Sequence, residues 1–135
     1  MDQPIVRFVG QSPEKHIGDC SVASLAMLLG ITYSEALVAI ARVAPDVLKQ
    51  GANWAQLKKA ARSRKVTLTE QRAFSLEDDS EDAGILGVEF SDGTQHAVYF
   101  KRGLIFDGRT GNVWDADVYL HQENAKPLSM LVRKG

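Results

Sequence analysis

Two glycine-containing turns in the second half of the chain constrain its fold most strongly. Asp92-Gly93 and Arg102-Gly103 each separate short segments rich in β-branched and aromatic residues. This pattern is typical of consecutive β-hairpins, which build an antiparallel sheet. The segment 113–120 is ambiguous between a strand and a short helix. The predicted strands are 5–9, 66–69, 85–90, 95–101, 104–107 and 128–132.

The first half of the chain carries helical signals instead. Apolar residues with helical spacing follow Asp19-Cys20 and end at Gly30, so a first helix is expected there. Thr32 and Glu35 form a capping-box pattern for a second helix that ends near Ala44. Asn53 caps a third helix, on which Trp54 and Leu57 are expected to face inward. Helices followed by strands predict an α+β fold, with N-terminal helices packed on an antiparallel β-sheet.

Length and composition exclude several classes of protein. The 135 residues are enough for one domain, 1–135, and the net charge of -1 gives no electrostatic case for binding nucleic acid or a membrane surface. No apolar run is long enough to span a membrane. The single cysteine excludes an internal disulfide and a site built from several thiolates. We therefore expect a cytoplasmic protein in a reducing compartment, with no cofactor and no bound metal.

Cys20 is the first candidate for chemistry. Its predicted place is the first turn of a helix, where free backbone N–H groups and the helix dipole favour a thiolate. The alternative is that Cys20 is a small buried apolar residue, as free cysteines often are. A nucleophilic cysteine also needs a base to take its proton and hydrogen-bond donors for the oxyanion. The Cys20 backbone N–H is one such donor, and the side chain of Gln11 is the natural second one.

His96 is the best candidate for the base, because it lies within an apolar strand. His16 lies in a loop, and His121 is in a polar segment. If Arg102-Gly103 is a two-residue loop, Asp107 is the diagonal neighbour of His96 on one face of the sheet, within reach of its side chain. A three-residue loop would turn Asp107 away. His96 as a buried structural histidine and Asp107 as a turn residue are the alternatives.

With these residues identified, the chain resembles the papain-like cysteine peptidases, and among them the bacterial leader peptidases that cleave after a double glycine. The resemblance spans about residues 8–112, and it depends on the order and spacing of short motifs. The motifs are Asp19-Cys20 with the small-residue helix 23–30, Thr32-Leu37, Gly51-Ala61, Gln95-Phe100 and Ile105-Gly111.

The resemblance implies a papain-like fold with Cys20 as nucleophile, His96 as general base and Asp107 as the residue that orients the base. The family places a glutamine six residues before the cysteine. Here that position is Glu14, and Gln11 lies nine residues before Cys20. Glycine often follows the cysteine in the family, whereas this chain has Ser21.

The function expected from the residues and the resemblance is a thiol-dependent hydrolase. It would cleave a peptide or amide bond of a peptide or protein substrate through a thioester intermediate. One alternative is a papain-like peptide-binding module with weak or no activity, which the displaced glutamine favours. Another is a thiol-dependent acyl transferase, because the same three residues serve transfer to an acceptor other than water. Nothing in the sequence indicates the oligomeric state.

Overall fold

The computed structural model describes residues 19–77, 83–107 and 112–134. The predicted strand at 5–9 and the candidates Gln11 and His16 lie outside the described residues. The five helices are α1 Asp19–Leu29, α2 Tyr33–Ala41, α3 Val47–Gln50, α4 Trp54–Arg62 and α5 Ala116–Gln122 within these ranges. The six strands there are β1 Thr67–Gln71, β2 Ala83–Phe90, β3 Gln95–Lys101, β4 Leu104–Asp107, β5 Asn112–Asp115 and β6 Ala125–Lys134.

The helix boundaries follow local chemistry that is visible in the sequence. Gly30, which follows α1, has a φ of 69°, the left-handed conformation that ends a helix at low cost for glycine. Thr32 and Glu35 form the predicted capping box at the start of α2, and Asn53 forms another with Gln56 at the start of α4. The helix α2 ends at Ala41, earlier than predicted, and the short helix α3 was not predicted.

All strand pairs of the sheet are antiparallel, and the strand order is β1-β6-β2-β3-β4-β5. The two predicted hairpins, β2 with β3 and β3 with β4, are confirmed. Arg102 and Gly103 have φ angles of 51° and 79°, as in the two-residue hairpin turns that match the twist of the strands. The ambiguous segment 113–120 contributes to both a strand, β5, and a helix, α5.

The two faces of the sheet carry separate apolar clusters. The helices α1 and α4 cover one face, in a cluster with Ile85, Tyr99 and Leu131, and α2 packs against these two helices. The other face packs against α5, with Val98, Phe100 and Tyr119 in its cluster. Alternating residues of β3 therefore contribute to opposite clusters, as the two-residue period of a strand requires. The observed architecture is α+β, with helices on an antiparallel sheet.

No helix among the described residues is by itself long and apolar enough to cross a membrane. The segments Cys20–Leu29 and Tyr33–Ala41 have the length and apolar composition of a membrane span only when they are taken together, and the chain bends by 113° between them.

Candidate active site

Cys20 lies in the first turn of α1, as predicted, and it is only partly buried. One turn further along the helix, the Ser24 hydroxyl donates a hydrogen bond to the backbone oxygen of Ala97 in β3, at 3.1 Å. This buried contact joins α1 to the strand that carries His96. The helix therefore presents its N-terminus, with the free N–H groups and the positive end of its dipole, beside the imidazole.

His96 and Asp107 meet across β3 and β4. The pairs Tyr99 with Phe106 and Lys101 with Leu104 set a register that brings Asp107 opposite Val98. His96 donates a hydrogen bond from Nε2 to Oδ1 of Asp107 at 3.0 Å. This arrangement confirms the predicted two-residue loop and the diagonal placement of the two side chains. The other ring nitrogen, Nδ1, is left for Cys20.

A third partner of this cluster was not found from the sequence. Tyr119 of α5 is fully buried, and its hydroxyl donates a hydrogen bond to Oδ2 of Asp107 at 2.9 Å. The two carboxylate oxygens thus have different partners, one from β3 and one from α5. The spacing of Ala116 and Tyr119 on a short helix was the available signal. This signal was missed because the residue pattern of 113–120 also fits a strand.

The electrostatics of Cys20 and His96 are mutually consistent. Burial alone raises the pKa of Cys20, but the hydrogen bond and the charge of His96 lower it. Hydrogen bonds from the backbone of Ala97 and the hydroxyl of Ser21 also lower it, and the net shift of the pKa is downward. Burial alone lowers the pKa of His96, but Asp107 and Cys20 together raise it to about 9. Both shifts act in the direction that stabilises a thiolate–imidazolium pair.

Cys20 lines a surface cleft of about 420 Å³. Its walls come from the N-terminus of α1, the segment that leads into α4, and strands β2, β3 and β6. Among the described lining residues, Cys20 and His96 alone carry ionisable side chains. The other lining residues are Ser21, Gly51, Ala52, Asn53, Trp54, Gly87, Gln95, Ala97, Leu128 and Ser129. A cleft of this size beside the sulfur admits a short segment of a substrate.

Two aromatic side chains shape the site. Phe90 stacks on the His96 ring, with centroids 5.9 Å apart and an interplanar angle of 27°. Trp54 was predicted to face the core; it is half-buried, packs against the apolar cluster beneath α1 and α4, and also lines the cleft. Its indole N–H donates a hydrogen bond to the Ser129 hydroxyl at 2.7 Å. Trp54 stands at the start of α4, where the chain enters the helix beside the cleft, so its ring covers β2 and β6 at the cleft wall.

We expect Trp54→Ala to lower the free energy of unfolding by about 2–4 kcal/mol, because the substitution removes ring packing and a partly buried hydrogen bond. Trp54→Phe keeps most of the ring and is the matched control, with a smaller loss. Chemical denaturation monitored by circular dichroism measures both. Equal stability of the wild type and Trp54→Ala would show that the ring contributes only to the cleft.

The donors of an oxyanion hole are only partly described. The Cys20 backbone N–H is at the helix start, as predicted, whereas Gln11 and Glu14 lie outside the described residues. Gln95, next to His96, is exposed and lines the cleft, and the sequence did not single it out. In the ranges that the structure describes, no group of three or more His, Cys, Asp or Glu side chains is placed to hold a metal ion.

Comparisons with known proteins add no family to this description. No family model matches the chain, and no curated protein is significantly similar to it.

Proposed function

We propose that the protein is a thiol-dependent hydrolase with a papain-like fold, which cleaves a peptide or amide bond through a thioester on Cys20. The observation that carries the proposal is the connected series of side chains, Cys20 to His96 to Asp107, with the sulfur at an open cleft. The position of the cysteine at a helix N-terminus beside an antiparallel sheet supports the papain-like fold, as does the chain order Cys, His, Asp.

The proposed reaction gives each of these residues a role. The Cys20 thiolate attacks the substrate carbonyl carbon, and the Cys20 backbone N–H stabilises the oxyanion that forms. The C–N bond breaks, and the amine leaves with the proton of the His96 imidazolium. Water then attacks the thioester while His96 takes its proton, which releases the acid and regenerates the thiolate. Asp107 keeps Nε2 protonated, so that Nδ1 is the nitrogen that exchanges protons with sulfur, amine and water.

A library of short peptide amides of 7-amino-4-methylcoumarin tests the proposal. The wild type is expected to release the fluorophore from some members, whereas Cys20→Ala releases none. Rapid acid quench and mass spectrometry should find the acyl group on the peptide that contains Cys20.

The same assay separates the competing functions. Release of more than one equivalent of fluorophore per Cys20 without an added amine supports hydrolysis. Release that stops at one equivalent until an amine such as glycine ethyl ester is added would indicate acyl transfer instead. Neither release nor an acyl group on Cys20 with any member would contradict both reactions and leave peptide binding without catalysis.

A further inference from the structure

We propose that Tyr119 is a positioning residue of this site, which holds the Asp107 carboxylate in the orientation that serves His96. The inference rests on the proposed function, since it assigns a partner to the residue that orients the base. Nothing in the resemblance or the sequence motifs points to Tyr119. The Asp107 carboxylate accepts a hydrogen bond on each oxygen, one from β3 and one from α5.

The hydrogen bonds to the carboxylate fix its orientation. Oδ1 of Asp107 accepts from His96 at 3.0 Å, and Oδ2 accepts from Tyr119 at 2.9 Å. Rotation of a carboxylate about its terminal bond is otherwise broad and roughly two-fold. Two donors fixed on β3 and α5 allow only one orientation of the carboxylate plane. The imidazole plane is fixed in turn, because its Nε2–H must point at Oδ1.

The donor itself is held rigidly. The Tyr119 side chain is about 1% exposed and packs with Val98, Phe100 and Ile105. The backbone of α5 is also tied to the β3–β4 hairpin, because the Ala116 N–H donates to the Gly103 oxygen at 2.8 Å. The hydroxyl therefore has little freedom to follow a carboxylate that rotates, so it acts as a fixed reference point for Asp107.

The Tyr119 hydroxyl also affects the charge of Asp107. The Asp107 side chain is fully buried, and a buried carboxylate stays ionised only if hydrogen bonds or charges compensate its lost hydration. A hydrogen bond from Tyr119 stabilises the ionised form over the protonated one. His96 from β3 and Tyr119 from α5 are titratable groups that hydrogen-bond to this carboxylate, and Cys20 of α1 meets His96 beyond it. The phenol thus acts on the sulfur through Asp107 and His96.

The test is the pH profile of Cys20 alkylation by iodoacetamide in Tyr119→Phe. The substitution keeps the ring and removes the donor, so Asp107 takes up a proton at higher pH and His96 then loses its counter-ion. We expect the acid limb of the profile, where the rate rises with pH, to move to higher pH by about half a unit, with a rate loss of up to about threefold on that limb and little change above pH 9. A purely structural role of Tyr119 would not move the limb.

Two controls make the result specific. Tyr99→Phe is the matched substitution, because Tyr99 is a buried tyrosine of the same strand as His96 that packs in the cluster on the other face of the sheet; its profile should equal that of the wild type. In the Asp107→Asn background no carboxylate can be protonated, so Tyr119→Phe should cause no further shift of the acid limb. A further shift there of the same size would overturn the proposal.

The outcomes separate the two proposals. If the wild-type rate rises at low pH and the Tyr119→Phe profile is the same as that of the wild type, the role of Tyr119 is overturned and the proposed function stays intact. If the alkylation rate of the wild type follows pH as that of an ordinary thiol does, the proposed function and the role of Tyr119 are both overturned, because there would be no ion pair to position. If Tyr119→Phe does not fold, 3-fluorotyrosine at position 119 keeps the shape and donates more strongly. The limb must then move to lower pH, and an unmoved limb refutes the proposal.

Discussion

Replacing His96 by alanine is expected to slow the alkylation of Cys20 by about a hundredfold at pH 6. An ordinary thiol with a pKa of about 8.5 is less than 1% ionised at that pH. In the wild type, His96 lowers the pKa of Cys20 through its hydrogen bond and its charge, although burial acts in the opposite direction. Without the imidazole, burial is the largest remaining influence on the pKa of Cys20, so the thiol stays protonated until alkaline pH. Hydrolysis should fall at least as far, because the general acid and base are lost together.

The matched control for this prediction is His121→Ala. His121 is an exposed histidine of α5, so its replacement changes the composition in the same way without touching the site. Rates measured with iodoacetamide from pH 5 to 10 should agree between His121→Ala and the wild type, and the His96→Ala curve should approach them only above pH 9. A His96→Ala rate at pH 6 within twofold of the wild type would remove His96 from the site.

The hairpins were predictable because their determinants are local. Arg102-Gly103 fixes a two-residue loop, the loop fixes the register, and the register places Asp107 beside His96. Each of these steps involves residues fewer than a dozen positions apart. The capping boxes at Thr32 and Asn53 were predictable for the same reason.

The parts that could not be predicted depend on contacts between distant segments. The strand β6 is inserted between β1 and β2, and no pattern within 125–134 says which strands will flank it. The contact between Tyr119 and Asp107 depends on how α5 packs after a turn. Trp54 was placed in the core because an apolar stripe identifies the buried side of a helix, but it does not show that the first turn of that helix reaches a cleft.

Asp107→Asn is expected to slow the alkylation of Cys20 by about tenfold at pH 6 while the fold is retained. Asparagine has the shape of aspartate, and its amide oxygen can still accept the Nε2–H of His96, so the ring keeps its orientation. The negative charge is lost, however, and with it an interaction that raises the pKa of His96 to about 9 against the effect of burial. With a lower pKa the imidazole is less often protonated, so it stabilises the thiolate less.

The sign of this effect sets where in the pH range it appears. In the wild type, the ion pair exists over the pH range that begins at the lowered pKa of Cys20 and ends at the raised pKa of His96, near 9. Asp107→Asn raises the pKa of Cys20 and lowers that of His96, so the ion pair exists over a narrower pH range. The ratio of the wild-type rate to the variant rate should be largest between pH 5 and 7. It should approach one above pH 9, where the thiol ionises without help. Asp117→Asn, an exposed carboxylate of α5, is the matched control and should follow the wild type throughout. Equal rates for Asp107→Asn and the wild type from pH 5 to 9 would refute the orienting role and leave Asp107 as a buried residue at the end of β4.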